Sequence, residues 1–245
     1  MRLNLVLQSE NKKVPMGYRT VMMSLLKYAI ENGDKELFNE MYFYGDKKNK
    51  KSKPFTFATF LNDFKINPNY IEVNGDISVT ISTSDYNLGI AFYNGLLKMD
   101  KFNYKNEYTL IKKKIALIKE NKVKNRLETF KTLAPIHIKD KNNNPVGVTD
   151  DNFEEELNYI SDMFLKNHRG YGLKERIKFT NIRMKKQVIK QEFNDFTKNS
   201  NKQYMFINAY SGIFNLEGER EDLQLLLENG IGFRRSEGFG LLDLV

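Results

Sequence analysis

An α+β fold of two tandem ferredoxin-like (RRM-like) βαββαβ domains is predicted, and three observations predict it. Hydrophobic spacing switches between the period of a strand and that of a helix in the order β-α-β-β-α-β. The same order returns after the basic link Lys119 to Arg126. With 245 residues and 40% hydrophobic side chains, the chain is also long enough for two ordinary cores. The division falls near residue 123, giving an N-terminal domain over 1–123 and a C-terminal domain over 124–245.

Residues 2 to 8 alternate, with Leu3, Leu5 and Leu7 on one face and Asn4, Val6 and Gln8 on the other, as in a half-buried strand. Tyr18, Val21, Met22, Leu25 and Ala29 form a helical stripe with Arg19 and Lys27 off it, stopped at Asn32-Gly33. Asp34 caps a short helix with Leu37, Phe38 and Met41 on its apolar face. This helix runs into Tyr42, Tyr44, Gly45 and a cluster of Lys47, Lys48, Lys50, Lys51 and Lys53. Residues 54–60 and 70–83 alternate and are rich in Thr, Ile and Val, so they are predicted strands, with Asn74-Gly75-Asp76 as a turn. A helix from Asp85 to Met99 and a strand over 108–118 complete the first set.

In the second half, residues 132–140 are the first strand candidate. Asp151 or Asn152 opens a helix with Phe153, Leu157, Ile160 and Phe164 on its apolar face, and Gly170 and Gly172 end it. Residues 176–187 and 203–218 follow as strands, Glu221 to Glu228 as a short helix around Leu223, Leu226 and Leu227, and 239–245 as the last strand.

Charge sets the class of partner. The 39 Lys+Arg exceed the 31 Asp+Glu by 8, and 13% of the residues are aromatic, a balance suited to phosphates and stacked bases. Residues 98–131 hold eleven Lys or Arg against four Asp or Glu, and 166–190 hold nine against one. The helix between them is acidic, which its N-terminal dipole favours. The absence of cysteine excludes disulfides, thiolate catalysis and Cys-ligated metals, and His137 and His168 are the only histidines, so neither a metal nor a cofactor is expected. No segment approaches the roughly 20 apolar residues that span a bilayer. No membrane partner is therefore expected, and the location is read as cytoplasmic.

The sharpest local pattern is Gly230-Ile231-Gly232-Phe233-Arg234-Arg235-Ser236-Glu237-Gly238-Phe239-Gly240. Glycines here let the backbone adopt positive φ and approach a phosphate chain, and the two arginines add charge-assisted contacts. A dinucleotide-binding loop is excluded by order, because that loop follows a strand and opens a helix. An RNA-recognition strand fits poorly, since Glu237 stands where a basic residue is needed and Leu241 and Leu244 where aromatics are needed.

With these residues in view, the chain resembles the sixth Cas family, the CRISPR-associated repeat-processing endoribonucleases of the repeat-associated RNA-binding superfamily. The resemblance rests on the glycine-rich segment, on Thr132-Leu133-Ala134-Pro135-Ile136, on Val14-Pro15 with Tyr18, and on Phe55-Thr56-Phe57. It implies metal-independent cleavage of precursor crRNA, in which the ribose 2′-hydroxyl attacks the adjacent phosphate and leaves a 2′,3′-cyclic phosphate. It also implies CRISPR repeat RNA as ligand, with an effector complex and a second copy in a homodimer as further candidate partners.

Many members of that family place a histidine before the Phe-Thr-Phe strand, whereas this chain has none between Glu36 and Phe57. The catalytic candidates are therefore Tyr42 and Tyr44 for orienting the 2′-hydroxyl, and Lys47 and Lys48 for the phosphate. RNA-binding candidates are Arg19, Lys27, Lys53, Arg176, Lys178, Arg183, Lys185, Gly232, Arg234, Arg235 and Gly238. His137 alternates away from Ile136 and Ile138, so it is expected to face outward as a reserve candidate. His168 is expected to complement a helix C-terminus. A non-catalytic RNA-binding subunit of the same fold is the alternative, prompted by the missing histidine.

Overall fold

A computed structural model of the chain describes residues 1–45, 47–49, 51–191 and 204–245, without the Lys48 side chain. Lys50 of the lysine cluster lies outside them. Two compact units emerge. The first holds Met1–Lys51, Thr59–Ile118 and the described ends of Lys190–Met205; the second holds Ser52–Ala58, Lys119–Ile189 and Phe206–Val245.

The first unit opens with β1 (Arg2–Ser9), β2 (Lys13–Pro15), α1 (Tyr18–Gly33) and α2 (Lys35–Tyr42), followed by the two-residue strands β3 (Phe43–Tyr44) and β4 (Lys47–Lys48). Next come β5 (Thr56–Leu61), whose first three residues count with the second unit, β6 (Phe64–Ile66), β7 (Tyr70–Val73) and β8 (Ile77–Ser82). The helix α3 (Tyr86–Lys98) then leads to β9 (Lys101–Tyr104) and β10 (Tyr108–Leu117).

The main sheet has the order β5-β8-β1-β10-β9. With β9 removed this is the 2-3-1-4 arrangement of a ferredoxin-like unit, as the alternation predicts. Leu3, Leu5 and Leu7 are buried as expected, and so are Val21, Met22, Leu25 and Ala29 of the predicted stripe. The Asp34 side chain accepts from the Leu37 backbone N–H at 3.0 Å, which starts α2 where the sequence places it. Asp85 caps α3 in the same way, accepting from Leu88 N–H at 3.1 Å.

The second unit contains β11 (Leu127–Thr132), β12 (Ile138–Lys139), β13 (Pro145–Val146), α4 (Phe153–Arg169), β14 (Lys178–Gln191), β15 (Met205–Glu217), α5 (Arg220–Asn229) and β16 (Leu242–Leu244), with the last two residues of β14 and the first of β15 counting with the first unit. Its sheet order, β14-β15-β11-β16, is again 2-3-1-4. Phe130, Phe214, Leu216, Phe153, Leu157, Leu223 and Leu242 build its core.

One expected element is displaced. The first strand of this unit is Leu127–Thr132, in place of the predicted 132–140. Thr129 and Phe130 pair with Asn215 and Phe214, and Phe130 also pairs with Leu244. Only Phe130 is fully buried in the strand, so its charged surroundings carry no alternation to read. Residues 133–137 instead run as an irregular segment whose backbone groups are occupied elsewhere.

Candidate nucleic-acid interface

Within the first unit, Tyr42 ends α2, and the chain reverses through β3 and β4 with Gly45 at φ 54°. Asn49 fastens the reversal: its N–H donates to the Tyr42 carbonyl at 2.8 Å and its side-chain amide to the Glu40 carbonyl at 2.9 Å. Tyr44 lies opposite Lys47 in this ladder and Phe43 opposite Lys48. Directly opposed residues share a face with Cβ atoms about 5 Å apart. A phenol and an ammonium are thus neighbours on a short hairpin, and Tyr44 is 83% exposed.

Tyr42 is in a different setting. Its ring packs 5.0 Å from Phe38, and Lys27 lies over it at 5.0 Å. Burial pushes its pKa up to about 12, so it holds its proton at neutral pH. Arg19 stacks on the neighbouring Tyr18 ring at 5.0 Å.

In the second unit the glycine-rich segment joins α5 to β16. Gly230, Gly232, Gly238 and Gly240 all have positive φ, and so does Arg234. The backbone is laced to residues 135–137: Gly240 N–H donates to Pro135 O at 2.8 Å and Phe233 N–H to His137 O at 2.9 Å. Ile231 N–H donates across the loop to Gly240 O at 3.0 Å. The Thr56 hydroxyl donates to Phe239 O at 2.9 Å in a buried contact. Three motifs separate in sequence, around Phe55-Thr56-Phe57, Pro135-Ile136 and Gly230 to Gly240, therefore meet in one place.

The two arginines diverge. Arg234 stays partly open, with 29% of its side chain exposed, and pairs with Glu237 at 2.6 Å. Arg235 is only 5% exposed: it donates to the Ser52 hydroxyl, and its guanidinium carbon lies 3.6 Å from the Phe164 ring centroid. Its second terminal nitrogen is buried without a hydrogen-bond partner. Burial pushes its pKa down to about 9, which still leaves it charged at neutral pH. Gly232 and Gly238 shape this loop as expected, but Gly232 is pressed against its own unit, since a Cβ there would meet His137 O at 2.7 Å.

His137 faces inward, contrary to the expectation from alternation, because its segment is not a regular strand. It is 8% exposed, its Nδ1 lies 2.8 Å from Asn208 O, and Phe233 and Phe239 flank its ring. Burial, with Arg234 and Lys139 adding to it, lowers its pKa below the usual 6.5, against an opposing hydrogen bond to Asn208. Protonation is then taken up more readily by the unfolded chain. Stability is expected to be full above about pH 6.5 and to fall as pH drops towards the lowered folded value. Thermal melts between pH 7.5 and 5.5 should show a drop that His137→Gln reduces. His168 stands in the last turn of α4, its ring 5.5 Å from Phe164, beside the left-handed Gly170 cap.

Along β14, Arg176 just before the strand approaches Glu154 at 3.5 Å and Lys178 approaches Glu217 at 3.4 Å, both through exposed side chains. Farther along, Arg183, Lys185 and Lys186 are exposed, and no ion pair is recorded for them among the described residues. Among the described residues β14 is an edge of its sheet, so these cations lie along a strand that has a neighbour on one side only. Lys53 is half-buried, and desolvation lowers its pKa. Ser52, which holds Arg235, was not singled out in the sequence, because a contact across 183 residues leaves no periodic signal, and Phe164 was read there only as part of an apolar helix face. Among the described residues no cluster of three or more His, Asp or Glu is placed to hold a metal, and no helix is long and apolar enough to cross a membrane.

Residues 118–244 match the family model described as CRISPR associated protein Cas6, C-terminal. A solved structure of a Cas6-related gene product from Pyrococcus furiosus is similar over 100% of this chain and 98% of its own, at 20% identity and a TM-score of 0.80. An RAMP protein described as binding different RNA substrates is similar at 21% identity and a TM-score of 0.79, covering 100% and 99% of the two chains. A Cas6 product complex follows at 14% identity and a TM-score of 0.67, with both chains covered in full. At these identities the likeness speaks for the fold, which is the tandem ferredoxin-like one. No curated protein matches the sequence.

Proposed function

The chain belongs to the Cas6 family of CRISPR-associated proteins, and on that premise we propose that it binds CRISPR repeat RNA and cleaves precursor crRNA by attack of the 2′-hydroxyl, without a metal. The observation that carries this reading is the row of exposed cations on β14, Arg183, Lys185 and Lys186. Residues two apart on a strand point to one side about 6.6 Å from each other, so Arg183 and Lys185 can grip successive parts of a phosphate backbone. Arg19 and Lys27 on the first unit, and Arg176, Lys178, Lys53 and Arg234 on the second, supply further positive charge. Residues 1–123 and 124–245 serve as the two domains of this reading.

For the chemistry, Tyr44 and Lys47 are the accessible pair. In-line attack needs the 2′-hydroxyl oriented and the pentacoordinate phosphate neutralised. Lys47, with Lys48, provides the charge, and the exposed Tyr44 phenol hydrogen-bonds the ribose. Tyr42 holds its proton too firmly to act as a base, and its ring packs on Phe38. Incubation with repeat RNA in EDTA is expected to give a cyclic-phosphate product, and a 2′-deoxy nucleotide at the cleavage position to abolish it. Equal cutting of the deoxy substrate would overturn the mechanism.

A second reading is a non-catalytic RNA-binding subunit, favoured by the absence of histidine between Glu36 and Phe57. It predicts tight repeat binding with no product over hours. In both readings the triple change Arg183→Ala, Lys185→Ala and Lys186→Ala should flatten the log-log salt dependence of binding by about 2, at about 0.7 for each lost single-strand contact. An unaltered slope removes β14 from the interface.

A further inference from the structure

A buried guanidinium without a carboxylate is costly, because desolvation removes hydration that only good partners offset. Arg235 carries that cost in full: one hydrogen bond to Ser52, one ring face at Phe164, and one nitrogen with no partner. A side chain there only to fill volume would be better as methionine or leucine. What the guanidinium provides is a tie between three remote segments: the glycine-rich loop, α4, and the stretch Ser52–Ala58.

That stretch is held at a second point. Thr56 donates to the carbonyl of Phe239, four residues along the same loop from Arg235, and a Cβ on Gly230 would lie 3.0 Å from Thr56 side-chain atoms. Ser52 and Thr56 are thus both anchored on the loop, and an extended span between them is at most about 14 Å. Lys53 lies inside that span. With both ends fixed, the path of its backbone follows from the loop.

We propose that Arg235 is a positioning residue, which through Ser52 fixes Lys53 for the phosphate, and that Arg234 alone of the pair meets RNA. This rests on the reading above, in which the second unit binds repeat RNA. The inward turn of Arg235 and the outward turn of Arg234 follow from the loop backbone, where Arg234 at φ 59° and Gly238 at φ 85° bracket the single helical turn Arg235–Glu237.

The test measures Lys53 directly. The intact protein is labelled with an amine-acetylating reagent, and modification of Lys53 is followed by mass spectrometry, with Lys47 as internal reference. Ser52→Ala and Arg235→Met are each expected to speed Lys53 labelling several-fold relative to Lys47, whereas Arg234→Ala leaves it unchanged. In RNA titrations, Arg234→Ala should lower the salt slope by about 0.7, whereas Arg235→Met should lower it no more than Lys53→Ala does and should lower it no further when added to Lys53→Ala. Arg235→Lys should not restore slow labelling, since an ammonium lacks the planar fork that reaches Ser52 while lying on Phe164.

Unchanged Lys53 labelling in the Ser52→Ala protein overturns the proposal, even if Arg235→Met does not fold. A further drop in slope when Arg235→Met is added to Lys53→Ala overturns it as well, making Arg235 itself a phosphate contact. If the wild type binds repeat RNA but never cuts it, the catalytic reading fails while the labelling result still decides this one.

Discussion

Combining Tyr44→Phe with Lys47→Ala is expected to lower single-turnover cleavage of repeat RNA by about 10²- to 10⁴-fold, the range that a positioned proton-handling group and a charged phosphate clamp supply. Affinity for the RNA should change only a few-fold, since one cation of many is lost. The effect belongs to this pair because the ladder sets Tyr44 opposite Lys47 on one face of the hairpin, with Tyr44 almost fully exposed. Tyr42→Phe should cost much less: it removes a hydroxyl that burial already keeps protonated, and it keeps the ring on Phe38. Rates for the double variant within threefold of the wild type would place the chemistry elsewhere in the molecule.

Gly240→Ala is expected to destabilise the protein by at least about 3 kcal/mol, seen as a lower urea midpoint. A left-handed alanine costs about 1 to 2 kcal/mol by itself, and Gly240 sits at φ 72°. The larger part comes from crowding, because a Cβ there would lie 1.9 Å from the carbonyl oxygen of Ile231. The atoms it would meet are backbone, so no neighbouring side chain can relieve the contact by moving aside. Relief would pull apart the Ile231–Gly240 and Gly240–Pro135 hydrogen bonds together. Gly45→Ala is the control: its φ is also positive, at 54°, but nothing lies within 4 Å, and it should cost only the conformational share. Equal stability of the two variants would refute the crowding argument.

Much of the fold was legible because its elements are regular. Leu3, Leu5 and Leu7 alternate and are buried; Asp34 and Asp85 stand before helical stripes and cap them. The short leucine helix of the second half appears as α5 over Arg220–Asn229. The strand Leu127–Thr132 was missed because it has charged residues and a single fully buried aromatic, and it is defined by pairing with residues more than 80 positions away. Alternation misled at His137 for the complementary reason: Pro135 and Ile136 look like strand, but their backbone groups are spent on Gly240 and Tyr210.

The same division runs through the candidate site. Residue type and local order, which need only neighbours in the chain, were enough to mark the lysine-rich turn after α2, the basic strand and the glycine loop. Whether a marked side chain faces water or its own core depends on what folds against it. Of two adjacent arginines, one stays partly exposed beside Glu237 and the other is closed over by Ser52 and Phe164. By itself the sequence determined the topology and the inventory of charge, because periodicity and composition are properties of the chain. Only the tertiary structure decided which charges are available to a ligand, because burial is set by contacts between segments far apart along that chain.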